Sequence, residues 1–265
     1  MAGAALGCSR GPATNGERVA YGTEAAQFLE LSRPRAAGAA PVVVLLHGGF
    51  WRDDYDLGLM RPLVPGLVSR GWAVANVEYR RLGQQGGGWP GTFSDVATAI
   101  DGLTRVDGLD LSAVVAVGHS AGGQLAVWAA SRGMLPAGTP GAEPVVALRG
   151  AVAQAGVLDL ATAADDLLGE GAVTTLLGGA PEALPEVYRL ASPIELLPIE
   201  VPVQLLHDPN DPLVPFGQSG RYAEDAAAAG DEVTLTRVDG GHFGLIDPTS
   251  SAWTRTLDAI AHLLA

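Results

Sequence analysis

Short apolar runs alternate with longer amphipathic stretches along this chain. Strand-like runs fall at 27–32 (QFLELS), 42–47 (VVVLLH), 73–78 (AVANVE), 113–117 (AVVAV), 149–155 (RGAVAQA), 202–207 (PVQLLH) and 233–238 (VTLTRV). Several are apolar at successive positions, as central parallel strands covered by helices on both faces must be. Helical spacing fills the intervals at about 57–70, 94–106, 121–132, 218–229 and 249–264. The alternation predicts an α/β fold, a mostly parallel central sheet flanked by helices. Thr92 and Asp95 are spaced as a capping box, and Asp247-Pro248 offers a cap and a first-turn proline to the last helix. Residues 157–200 break the rhythm: helical pieces at 161–168, 172–177 and 182–190 are separated by GG and proline, with no strand. They predict a small helical lid inserted into one domain spanning 20–265, with 1–19 as a flexible tail.

Composition narrows the functions open to such a domain. Apolar residues make up 48% of 265 and charged residues 17%, enough for a sizeable core. Sixteen arginines, no lysine and 29 acids give a net charge of −13, which argues against nucleic acid as a partner and against an anionic membrane surface. No apolar run approaches the ~18 residues of a membrane span. The single cysteine, Cys8, excludes an internal disulfide framework and a multi-cysteine metal site. A metal-free, cofactor-free cytoplasmic protein, monomer or homodimer, acting on a small molecule is the expectation.

The strongest chemical signal is Gly118-His119-Ser120-Ala121-Gly122, which follows an apolar strand and opens a helix, GGQLAVWAASR. A strand that turns into a helix within one or two residues places its central serine in a strained conformation at the helix N-terminus, where developing negative charge is favoured. Side chains at 118 and 122 would collide with neighbouring backbone. A serine hydroxyl needs a base. Of the five histidines, His242 lies in a loop after the last strand, Asp239-Gly240-Gly241-His242-Phe243-Gly244, at the reactive edge of such a sheet. His262 sits in the terminal helix and reads as structural. His119 adjoins Ser120 and points away from it if Ser120 is exposed.

The base needs a carboxylate to fix its tautomer. Two candidates follow the strand at 202–207, in Asp208-Pro209-Asn210-Asp211-Pro212-Leu213-Val214-Pro215. Asp211 lies well into the loop and is preferred; Asp208, nearer the strand, suits a turn with Pro209. A fourth element, His47-Gly48-Gly49-Phe50-Trp51, follows the strand VVVLLH. Its glycine-rich turn can aim the amides of Gly49 and Phe50 at a developing oxyanion, joined by the amide of Ala121.

HGGFW (47–51), EYR (78–80), GHSAGG (118–123), DPNDPLVP (208–215) and GGHFGLID (240–247) together resemble the α/β-hydrolase superfamily over about residues 20–265. Many members carry their acid in D-x-x-V-P, which Asp211 matches and Asp208 does not. HGG followed by an aromatic pair resembles the kynurenine formamidase branch and, more distantly, hormone-sensitive-lipase-like esterases, whose third glycine is Phe50 here. The resemblance implies a serine hydrolase that cleaves a small carboxylic ester or activated amide, with Ser120 as nucleophile, His242 as base and Asp211 as its orienting acid. Trp51, Trp89 and His119 are candidate pocket residues, Trp89 equally a core residue. Arg80 is expected in a structural salt bridge, and Arg52 stands near the pocket. The same triad would also serve acyl transfer, a thioesterase or a cyclase, and the scaffold without turnover would serve ligand binding.

Overall fold

The structure is a computed structural model that describes residues 16–36 and 38–265. Eight strands form one sheet: β1 (Glu17–Ala20), β2 (Phe28–Ser32), β3 (Ala40–Leu46), β4 (Ala73–Val77), β5 (Leu109–His119), β6 (Gly150–Gln154), β7 (Val203–His207) and β8 (Val233–Arg237). Their spatial order is β1-β2-β4-β3-β5-β6-β7-β8. β2 is antiparallel to both β1 and β4, and all remaining pairs are parallel. Successive side chains of β3 face opposite sides. Val42, Val44 and Leu46 join the larger core, while Val43 and Leu45 join a second core. That explains the continuous apolar run, since both faces are covered.

The smaller core is closed by α1 (Val64–Val68) and the C-terminal α9 (Ser251–Leu264), through Leu67, Trp253 and Ile260. The larger is closed by α2 (Gly91–Asp101), the wholly buried α3 (Ala121–Ala130) and the insertion, α4 (Leu160–Asp165), α5 (Leu168–Leu177) and α6 (Pro185–Ala191), together with α7 (Gly217–Ala229). A one-turn helix, α8 (Gly241–Gly244), carries the loop after β8. Among the described residues, no helix is long and apolar enough to cross a membrane. Cys8 and residues 1–15 of the expected tail lie outside the described residues.

Four expectations need correction. Glu17–Val19, assigned to the tail, form edge strand β1 together with Ala20; four mostly exposed residues carry no apolar alternation that would reveal them. The helix expected at 57–70 becomes two 3-10 turns and the five-residue α1, because Pro62 and Pro65 interrupt it. Thr92 and Asp95 do not cap α2, which begins after Pro90 with no side-chain cap. Thr92 Oγ1 donates to the Arg80 carbonyl, and Asp95 accepts two bonds from the Arg80 guanidinium at 2.7 and 2.8 Å. Arg80 thus has the structural salt bridge expected of it. The last helix starts at Ser251, and its cap is Ser250, whose hydroxyl accepts from the Trp253 amide at 2.9 Å. Asp247 instead closes its own turn with Thr249.

Candidate active site

Every candidate catalytic residue lies at the carboxyl ends of the parallel strands. Ser120 follows β5 with φ 56° and ψ −121°, the strained elbow that the sequence predicts. Its amide donates to the Gln154 carbonyl at 2.7 Å. A methyl group at Gly118 would strike the Gly122 carbonyl, and one at Gly122 would strike the carbonyls of Leu46 and His47. The glycines therefore let β3, β5 and α3 close together beneath the serine.

His242 lies on α8, 5% exposed. Its Nδ1 is 2.7 Å from Asp211 Oδ2. Asp211 Oδ1 accepts from the amides of Leu213 (2.8 Å) and Val214 (3.0 Å). Burial raises the Asp211 pKa, but hydrogen bonds from His207, His242, Val214 and Leu213 outweigh it and hold the carboxyl well below the usual range. A carboxylate next to Nδ1 requires a proton there, which leaves Nε2 with a lone pair. The rival Asp208 has a different task. It accepts from the amides of Asn210 (2.8 Å), Gly240 (2.9 Å) and Gly241 (2.6 Å), anchoring the loop that presents His242. Those bonds hold its pKa low.

The elbow and the base loop touch directly. His119 Nε2 donates to the His242 carbonyl at 2.9 Å, and the two rings lie 4.5 Å apart. Burial, then the neighbouring His242, depresses the His119 pKa to about 3. His119 is therefore a neutral strut between elbow and base, 1% exposed, rather than a pocket residue. Neither Ser120 Oγ nor His242 Nε2 has a hydrogen-bond partner among the described residues. The hydroxyl-to-imidazole link is thus open here; such links are commonly long until substrate is seated.

The HGGFW turn packs against this elbow. A methyl group at Gly48 would sit 3.0 Å from Ser120 Cβ. Gly49, Phe50 and Trp51 carry successive positive φ values of 110°, 51° and 56°, a backbone that side-chain-bearing residues seldom adopt. The amides of Gly49, Phe50 and Ala121 donate to no described residue. Trp51 leaves the pocket altogether: it is fully buried, and its Nε1 donates to Gln124 Oε1 at 3.1 Å. Trp89 is half-buried, edge-on to Phe93 at 4.9 Å, and does not line the cleft beside the site. It belongs to the core packing.

That cleft, about 380 Å³, lies between the HGGFW turn, the helical insertion and the loop of Asp211. Phe50, Tyr55, Pro212 and Leu213 give it an apolar wall, and Arg52, Asp54 and Glu170 a polar rim. The insertion contributes Gly169 and Glu170, which together with Gly171 have left-handed φ. Arg52 Nη2 donates to the Gly169 carbonyl at 2.5 Å, tying lid to turn.

Supporting residues escaped the sequence reading. Gln154, the lone polar residue of an apolar strand, donates to the Leu245 carbonyl (2.7 Å) and Thr256 Oγ1 (2.9 Å), steadying the segment after His242. His47 and Glu78, 3.1 Å apart, form a buried pair at the HGGFW turn. Glu78 also accepts from the Leu57 and Tyr79 amides. A polar residue inside an apolar run was the available signal for each.

Comparison with known proteins agrees with this architecture. The family described as BD-FAE matches residues 29–225. The esterase LipQ of Mycobacterium tuberculosis is 29% identical over 201 residues, 72% of this chain and 47% of LipQ. The chain thus spans about half the length of that curated relative. Among solved structures, a truncated carbohydrate esterase from gut microbiota superposes with a TM-score of 0.78 at 21% identity, covering 96% of this chain and 99% of that one. Butyrate-bound esterase 2 of Thermogutta terrifontis gives 0.74 at 21% identity, covering 94% and 93%. These likenesses support the α/β-hydrolase fold.

Proposed function

The chain belongs to the BD-FAE family, and from that premise we propose that it is a serine esterase cleaving a small carboxylic ester through an acyl-enzyme. One observation carries the reading: a strained serine, a carboxylate-held histidine and three undonated amides converge at one sheet edge. The esterase name of LipQ and the butyrate in the Thermogutta structure lend support from outside the chain.

In this reading Ser120 Oγ forms a bond to the ester carbonyl carbon as its proton passes to His242 Nε2. The carbonyl oxygen becomes an oxyanion received by the amides of Gly49, Phe50 and Ala121. Collapse breaks the bond to the alcohol oxygen, which takes the proton from His242. Water then attacks the acyl-enzyme with the same base, returning the proton to Ser120 and releasing the acid. Asp211 holds His242 in the reactive tautomer and stabilises the transient imidazolium. A cleft of about 380 Å³ suits a small-molecule ester. Its apolar wall suits a short acyl or aryl group.

Ser120→Ala, assayed with short p-nitrophenyl esters, is expected to lose at least about a thousandfold in kcat while remaining folded. Retained turnover overturns the reading. N-formylkynurenine, assayed in parallel, decides whether the formamide chemistry implied by the HGG-aromatic resemblance belongs to this site.

A further inference from the structure

Asp211 is flanked by a second histidine that the triad does not use. His207, the last residue of β7, is fully buried. Its Nδ1 is 2.8 Å from Ser219 Oγ on α7, and its Nε2 is 3.1 Å from the Val214 carbonyl and 3.4 Å from Asp211 Oδ2. Both neighbours of Nε2 are acceptors only, so Nε2 carries the proton. In the neutral ring Nδ1 is then the acceptor, and the Ser219 hydroxyl donates to it. Ser219 itself is fully buried. Its bond to Nδ1 therefore selects the tautomer that turns an N–H toward Asp211.

We propose that His207, set by Ser219, is a positioning residue of this active site: its Nε2–H holds the Val214 carbonyl and the Asp211 carboxylate in one place, and draws charge from the oxygen that faces His242. The inference rests on the esterase reading for its kinetic consequence, but not for its geometry. Asp211 Oδ2 is shared between the two imidazoles, one from β7 and one from α8. The mature site is then a chain of four groups, Ser219, His207, Asp211 and His242. Removing the His207 donor leaves more negative charge on Oδ2, which makes His242 more basic. Among the described residues, the other titratable or charged groups near this pair are His119 from β5, Asp208 from the same loop and Arg237 of β8, in register with His207.

The test uses the full chain with His207→Leu, His207→Gln and Ser219→Ala. His207→Leu should lower kcat for p-nitrophenyl acetate about tenfold with KM within about twofold, and move the acid limb of kcat/KM to higher pH. His207→Gln, which restores an N–H near Nε2, should recover most of both effects, and Ser219→Ala should show the same changes at smaller size. Proton NMR of the His242 Nδ1–H that faces Asp211 supplies a readout without substrate, and its resonance should shift in His207→Leu. If His207→Leu folds with an unchanged pH profile and an unmoved resonance, His207 is only a packing residue and the proposal fails. If the wild type hydrolyses no ester yet the resonance still moves, the positioning stands and the esterase reading falls instead.

Discussion

His242–Asp211 and His47–Glu78 are both buried histidine–carboxylate pairs, but only the first leaves a ring nitrogen without a partner among the described residues. His242 meets Asp211 at 2.7 Å through Nδ1 and keeps Nε2 without a partner among the described residues. His47 meets Glu78 at 3.1 Å through Nε2, while its Nδ1 lies 2.8 Å from the Gly48 carbonyl and its ring stacks on Tyr79 at 4.3 Å. Both nitrogens of His47 are taken up by protein groups, so neither is left open toward Ser120 or the cleft. The same two residue types therefore make the proposed base in one place and a brace in the other. A free second nitrogen separates them, not burial or the nearness of a carboxylate.

The largest expected effect breaks the first pair. Asp211→Asn should cut kcat for a p-nitrophenyl ester by about 10⁴-fold, because an amide can turn its NH₂ toward His242 and impose the wrong tautomer. Thermal melting should move far less than activity. Breaking the second pair should reverse that profile. Glu78→Gln removes the carboxylate charge that lies 3.3 Å from the buried Arg81 guanidinium and turns an NH₂ toward some of its donors, and should cost about 3–5 kcal/mol in urea unfolding. Any loss of kcat should follow the folded fraction and the placing of the oxyanion turn.

The lid contact tests how far that turn depends on its surroundings. A methyl group on Gly169 would run into the Phe50 ring, and φ there is +61°. Gly169→Ala should therefore destabilise by about 1–3 kcal/mol. It should also lower kcat more than it raises KM, since Phe50 carries a proposed oxyanion donor. The most gradual effect concerns His119, the strut between elbow and base. Its folded pKa, about 3, lies below the ordinary value near 6.5, so the unfolded chain binds the extra proton first. Stability from this group is complete above about pH 6.5 and declines as pH falls toward 3, by at most about 1.4 kcal/mol per pH unit. Urea midpoints measured across that window should fall less steeply in His119→Gln.

The legible and illegible parts of the site differ in physical origin. Ser120 could be read because a strand-to-helix elbow leaves no space at 118 and 122, and that steric demand is written locally. The preference for Asp211 over Asp208 rests on its depth in the loop and on the D-x-x-V-P resemblance, and the structure gives its meaning: Asp208 is used up by three amides. The central strands β3, β4, β6 and β7 were visible because burial on both faces leaves an almost unbroken apolar run, while β2 and β8 showed through alternation and β-branched residues. Trp51 and His119 were misplaced for the converse reason. Each sits beside a functional turn, but its partner, Gln124 or the His242 carbonyl, lies 73 or 123 residues away. The Asp95 cap failed similarly, because Arg80 claims that carboxylate.

The run of left-handed residues at the lid has an evolutionary corollary. From 169 to 171 the path of the chain is fixed by two glycines around Glu170, with Arg52 fastened to the first of them. Glu170 alone among the three presents a side chain, and it does so at the rim of the cleft. Relatives could therefore retune which alcohol or acid is welcomed by exchanging this single residue for others that tolerate its backbone, such as Asn or Asp, while the surrounding scaffold stays as it is.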